Sequence, residues 1–155
     1  MSRNPYIQLL IIGDIRRDFI IDLSGKAHNN LVGGPLLYAA AGARLGNGNV
    51  GLVSRIGADF APETLISFEK KGIDTNGIMR LAHNFDIRSF YHWADNNLCI
   101  SENPIAAYSR YGLTFPHELL EYQSFDDSVI EKMWSNISIR TDTTFPHEYM
   151  DIAGV

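Results

Sequence analysis

Two adjacent glycines, Gly33 and Gly34, run directly into Pro35 to Gly46 (PLLYAAAGARLG), and this junction constrains the chain more than any other stretch. Glycine has no Cβ and accepts positive φ, so the pair can turn tightly and point amide N–H groups outward. Pro35 suits the first turn of a helix, whose N-terminus attracts oxygen-rich or anionic groups. Ala39, Ala40, Ala41 and Ala43 add helix propensity and a slim surface for packing on a sheet, and Gly46 is a natural stop. The same residues also fit an ordinary β-to-α connection, since glycines commonly punctuate turns.

Around this junction the hydrophobic pattern alternates between strand and helix. Tyr6 to Ile12 (YIQLLII) is an apolar run ended by Gly13, the pattern of a strand buried on both faces. Phe19 to Leu23 reads as a second short strand, with polar Asp14 to Asp18 between the two, at the carboxyl edge where α/β sheets bind ligands. Ser24 to Asn30 reads as a loop. Val50 to Ile56 is expected to be a core strand, and Pro62 to Lys71 an amphipathic helix with Leu65, Ile66 and Phe68 inward and Gly72 as its stop. Ile73 to about Met79 reads as another extended piece. This β-α-β-α-β order implies α/β architecture. Asp86 to Trp93 is expected to be an exposed strand or flap, Pro104 to Tyr122 and Ser124 to Trp134 to contain helical pieces, and Asn136 to Ile139 to form one more strand. No closing element is legible in Thr141 to Val155.

At 155 residues, 45% apolar and 20% charged, the chain has the composition of one soluble globular domain. A net charge of −5 without a Lys/Arg-rich run argues against nucleic-acid or membrane partners and favours a small polar metabolite. The single cysteine, Cys99, cannot form an intrachain disulfide. With no signal-peptide core and no run of about 20 apolar residues, a cytoplasmic setting is expected.

Several motifs compete for a chemical role. Gly46-Asn47-Gly48-Asn49-Val50-Gly51 matches the dinucleotide pattern G-x-G-x-x-G, but it follows an expected helix and opens a strand, the reverse of what that pattern requires. A glycine-rich turn is the expectation. Thr114 to Glu118 and Thr144 to Glu148 repeat Thr-Phe-Pro-His-Glu; a metal site is conceivable, but adjacent His and Glu on a helix point about 100° apart. Proline early in a helix with glutamate close behind accounts for the repeat more simply. Asp18 could serve as an ordinary turn or cap residue, or its carboxylate could accept hydrogen bonds from two vicinal hydroxyls of a sugar.

In order along the first eighty residues, Gly13 to Asp18, Gly33-Gly34-Pro35 with the alanine-rich helix, Val53 to Phe60 and Gly72-Ile73-Asp74-Thr75 resemble the N-terminal half of the ribokinase-like (PfkB) carbohydrate kinases. The resemblance implies a Rossmann-like α/β fold with a mostly parallel sheet and a small β lid, incomplete in this chain, with the lid strand at about 86–93. It implies ATP- and Mg²⁺-dependent phosphorylation of a sugar or nucleoside hydroxyl by a parent enzyme. By position, Asp18 resembles the substrate-hydroxyl ligand, and Gly33 and Gly34 the glycine pair that lines the sugar site and hinges the lid. Tyr38 stands where the family commonly has a substrate-binding Asn, and Arg88 on the lid strand completes the expected substrate-binding set, which should converge on one cleft. The family's Gly-Ala-Gly-Asp segment, with its catalytic base, does not occur in the 155 residues. The chain is therefore expected to supply the sugar-binding part and to be inactive alone, with homo-oligomers through the lid strand conceivable. A stand-alone, non-catalytic polyol-binding or assembly domain is the alternative.

Overall fold

In the computed structural model, the described residues are 7–46, 48–85, 87–94, 98–120, 122, 146 and 149. The expected helix at Ser124 to Trp134 and strand at Asn136 to Ile139 lie outside them. The elements are β1 (Leu9–Ile12), β2 (Arg16–Ile21), β3 (Ala27–Gly33), α1 (Pro35–Leu45), β4 (Val50–Ile56), α2 (Pro62–Lys70), β5 (Ile73–Arg80), β6 (Arg88–Trp93), β7 (Cys99–Ile100) and α3 (Pro104–Arg110), then a 3₁₀ turn at His117–Leu119. They divide into two compact units. One holds β1, α1, β4, α2 and β5; the other holds β2, nearly all of β3, β6, β7 and α3, the chain passing between them after Ile15 and after Val32 and returning by Ile87.

The first unit is a parallel sheet in the order β1-β4-β5. Its central strand, β4, buries apolar side chains on both faces. Val50, Leu52 and Ile56 join Ile15, Leu36, Ala40, Phe68 and Ile73 in one cluster, while Val53 joins Ile7, Leu10 and Tyr149 in another. Burying one such side chain contributes roughly 1.5–3 kcal/mol relative to exposure. The helices enter as their prolines lead one to expect, each with Pro at the first turn. Leu36 and Ala40 are the buried residues of α1 and Leu37 and Ala43 pack beside them, whereas Leu45 is 89% exposed. In α2, Phe68 is buried and Leu65 packs beside it, but Ile66 is 48% exposed rather than inward, because it falls one helical position off that stripe. Tyr149 lies across the strands, where a Cβ on Gly77 would sit 2.7 Å from its ring and 2.5 Å from the carbonyl oxygen of Leu52. The Tyr149 hydroxyl donates to Asp74.

The second unit is a mixed sheet in the order β3-β2-β6-β7, with β2 and β6 parallel and β6 and β7 antiparallel. Two expectations are corrected here. The stretch read as the loop Ser24 to Asn30 is the turn and first half of β3, an edge strand whose central residues Asn29 to Val32 are exposed, so its composition is that of a loop. Arg88–Trp93 is indeed a strand, but not an exposed one. Phe90 is fully buried and His92 is 4% exposed; β6 pairs with β2 along Arg88–His92 and with β7 only at His92 and Trp93.

The β2–β3 turn is held by Asp22, whose carboxylate accepts from the Ser24 amide (2.9 Å), the Ser24 hydroxyl (2.6 Å) and the Lys26 amide (3.1 Å) and pairs with the His28 ring (3.0 Å). Among the described residues, no helix is long and apolar enough to cross a membrane.

Candidate functional site

The strands β2 and β6 carry two chemically different faces. Along a strand, side chains alternate, so Arg17, Phe19 and Ile21 share one face and Arg16, Asp18 and Ile20 the other. On the first face, Phe19, Ile21 and Phe90 pack with Ala107 and Tyr108 of α3 and with Leu119. Tyr108 is pushed up to about 12 by burial, and its hydroxyl donates to Asn29. The Tyr122 phenol is likewise raised by burial; its oxygen accepts from the Phe90 amide (3.4 Å) and its proton goes to the Ser101 carbonyl (3.2 Å).

On the opposite face two polar side chains are closed off from solvent, among half-buried Arg16, Ile20 and Tyr91. Asp18 is 3% exposed and Ser89, its partner in the parallel register, is 1% exposed. Arg16 reaches over from β2, its Nη1 donating to the Ser89 hydroxyl at 3.2 Å. A carboxylate in mid-strand beside a hydroxyl and a guanidinium is a costly thing to bury unless hydrogen-bonded, and it is suited to accepting from hydroxyl groups.

The expected site residues fall as follows. Asp18 lies within β2, not in the loop after β1, because β2 begins two residues earlier, at Arg16. Arg88 lies on the same unit but on the other face: its guanidinium donates to the backbone carbonyl of Glu118, on the side of Phe90 and α3. The register therefore separates it from Asp18. Gly33, Gly34 and Tyr38 belong to the first unit. Gly33 ends β3, and Gly34 caps α1 with φ 106° and ψ 156°, a conformation essentially reserved for glycine. Its carbonyl accepts the Leu37 amide at 3.1 Å. Tyr38 is 67% exposed. Sequence reasoning missed Arg16 and Ser89. The signal for Arg16 was its spacing of two from Asp18, which becomes informative only once β2 is extended back to residue 16.

The remaining motifs are structural. Gly46 ends α1 and Val50-Gly51 opens β4, so the G-x-G-x-x-G match spans a turn between a helix and a strand, as expected. Pro116 precedes the 3₁₀ turn, where His117 Nδ1 and Glu118 Oε2 lie 3.2 Å apart. His147 and Glu148 lie outside the described residues. Among the described residues, no three His, Cys, Asp or Glu side chains are grouped to hold a metal ion.

No protein-family model matches the sequence, and no curated protein does. Solved structures do. A nucleoside kinase from Burkholderia thailandensis, in complex with inosine, superposes with a TM-score of 0.53 at 18% identity, over 61% of this chain and 35% of that one. The fold is ribokinase-like. A sugar kinase from Pyrococcus horikoshii (22% identity, TM-score 0.49) and a PfkB protein from Polaromonas sp. JS666 (23%, TM-score 0.49) each match over 62% of this chain and 34% of their own. The ribokinase-like chain thus spans about a third of the length of the solved structures it matches.

Proposed function

We propose that this chain provides the acceptor-binding part of a sugar or nucleoside kinase. Asp18 carries the proposal: a buried carboxylate in mid-strand, beside buried Ser89 in the β2–β6 pair, within a ribokinase-like fold. A hydroxyl of a polyol would donate to this carboxylate, a charge-assisted arrangement that water in a buried site does not screen. Arg88 is better explained as a tie between β6 and the 3₁₀ turn than as a ligand for substrate.

ATP and Mg²⁺ would serve the parent enzyme. Phosphoryl transfer requires a positioned base, metal ions and donors that stabilise charge on the transferred group. The described residues do not fit that need: they offer no metal-binding cluster, and the sequence holds no Gly-Ala-Gly-Asp segment. The role proposed here is confined to the acceptor, with polyol binding and no turnover by the chain alone.

Titration of D-fructose and inosine into the 155-residue chain, followed by NMR, tests this. Binding should perturb Asp18 and Ser89, and Asp18→Asn should weaken it about tenfold or more, the scale of a hydrogen bond to a charged group. Equal affinity in the variant, or no binding of either compound by the unmodified chain, would remove the proposal.

A further inference from the structure

Arg80, the last residue of β5, sends one guanidinium nitrogen into a ring of backbone oxygens. Its Nη1 donates to the carbonyls of Gly57 (3.1 Å), Ala58 (3.1 Å) and Phe60 (2.7 Å), all in the loop between β4 and α2. That nitrogen carries two protons, so at least one N–H is shared among the oxygens. They converge on it nonetheless. Carbonyl dipoles aimed at one place repel each other, and a positive charge among them turns the repulsion into attraction. The other bonds of this corner are made by N–H groups: Phe60 to the Gly57 carbonyl (3.2 Å), Leu81 to Ile56 (2.8 Å), Ala58 to His83 (3.0 Å), and Phe85 to the Asp59 carboxylate (3.2 Å). They hold the chain after β5 so close to the loop that a Cβ on Gly57 would sit 2.3 Å from the Phe85 amide nitrogen. Calcium and magnesium ions take about six or more oxygen ligands, whereas this smaller cradle suits a planar cation that donates hydrogen bonds.

We propose that the carbonyls of Gly57, Ala58 and Phe60 form a guanidinium-binding site whose resident cation is Arg80, and that its charge, not its bulk, fixes the loop that enters α2. The loop follows the carboxyl end of β4, the edge at which α/β sheets bind ligands, so Arg80 acts there as a positioning residue. Every residue involved belongs to the first unit, and the inference does not rest on the polyol reading of Asp18. Arg80 is exposed, so once its side chain is replaced a guanidinium ion from solvent can reach the cradle.

NMR on the full chain tests it. In the unmodified chain the Arg80 side-chain protons should exchange slowly with water; protons that exchange like those of a free arginine overturn the inference without any substitution. Arg80→Met keeps a long side chain but no charge, and should speed exchange at the Ala58 and Phe60 amides about tenfold while the β4 amides stay as they were. Guanidinium chloride, kept well below its denaturing range, should return most of that protection to the variant, and potassium chloride at the same concentration should not. Unchanged exchange in Arg80→Met overturns the inference. So does exchange that quickens equally throughout β4, protection that neither salt returns, or protection that potassium chloride returns as well as guanidinium does.

Discussion

Strand β4 of the first unit is buried at six of its seven residues, with Arg55 alone half-buried, whereas β2 of the second unit buries Phe19 and Ile21 on one face and a carboxylate, Asp18, on the other. Both strands lie inside their sheets. The first is filled mainly by apolar side chains, and its fully buried hydroxyl, Ser54, is satisfied by donating to the Gly13 carbonyl at 2.7 Å. The second must satisfy a charge in a closed place, which needs particular partners at particular registers. In a fold of this kind, chemistry is expected where a strand departs from the apolar solution by burying an ionisable group, and in β2 Asp18 is such a group.

Substitutions that strike one unit at a time separate the demands of the two strands. The largest effect is expected from Phe90→Ala, which empties a fully buried ring site between β2 and α3 and should cost about 4 kcal/mol in denaturant unfolding. Hydrogen exchange should then quicken in β2 and β6 before β4 and β5; uniform loss would mean that the two units do not differ in this way. Next comes Gly77→Ala in the parallel unit. Its Cβ would meet backbone oxygen and the Tyr149 ring, and about 3 kcal/mol of destabilisation is expected by calorimetry, with the exchange pattern reversed. Gly34→Ala, at the passage between the units, should cost about 1–3 kcal/mol because its backbone lies in a region closed to side chains; an unchanged melting temperature would show that the backbone there relaxes freely.

The smallest effect concerns the β2–β3 turn. The Ser24 hydroxyl, then the His28 ring and the Lys26 amide, hold the Asp22 carboxyl well below the usual carboxylate range. A carboxyl depressed in the folded state stabilises the turn above its unfolded value, about 3.9, and that support is lost as pH falls through the lower folded value. A carbon-13 titration of the Asp22 carboxyl should therefore show a midpoint clearly under about 3.9. An ordinary midpoint would mean that the turn is not held in this way.

How legible each unit was in the sequence follows the same division. The apolar runs behind β1 and β4, and the prolines and glycines that bracket α1 and α2, announce themselves because both faces of a parallel sheet must be apolar and helix ends need specific residues. Ala27–Gly33 carries His28, Asn29 and Asn30 on a solvent-facing edge, where nothing apolar is required, and so it reads as a loop. Arg16-Arg17-Asp18 reads as polar chain beyond the first strand because all three side chains are charged, although the alternation that separates Arg16 and Asp18 from Arg17 places two of them on one face of an interior strand. Ser89 gave no signal of its own: a serine amid aromatics becomes meaningful only through its pairing with Asp18, some seventy residues away in the chain.

That separation matters during synthesis. The hairpin of β2 and β3 leaves the ribosome long before β6 exists, and at about 5–20 residues per second the delay is roughly 3 to 12 seconds. Throughout that interval the nascent β2 presents Phe19, Ile21 and an open row of amides and carbonyls to whatever is nearby. A chaperone that shields extended apolar segments would have its best opportunity in that window, and crowding of nascent chains would be most harmful then.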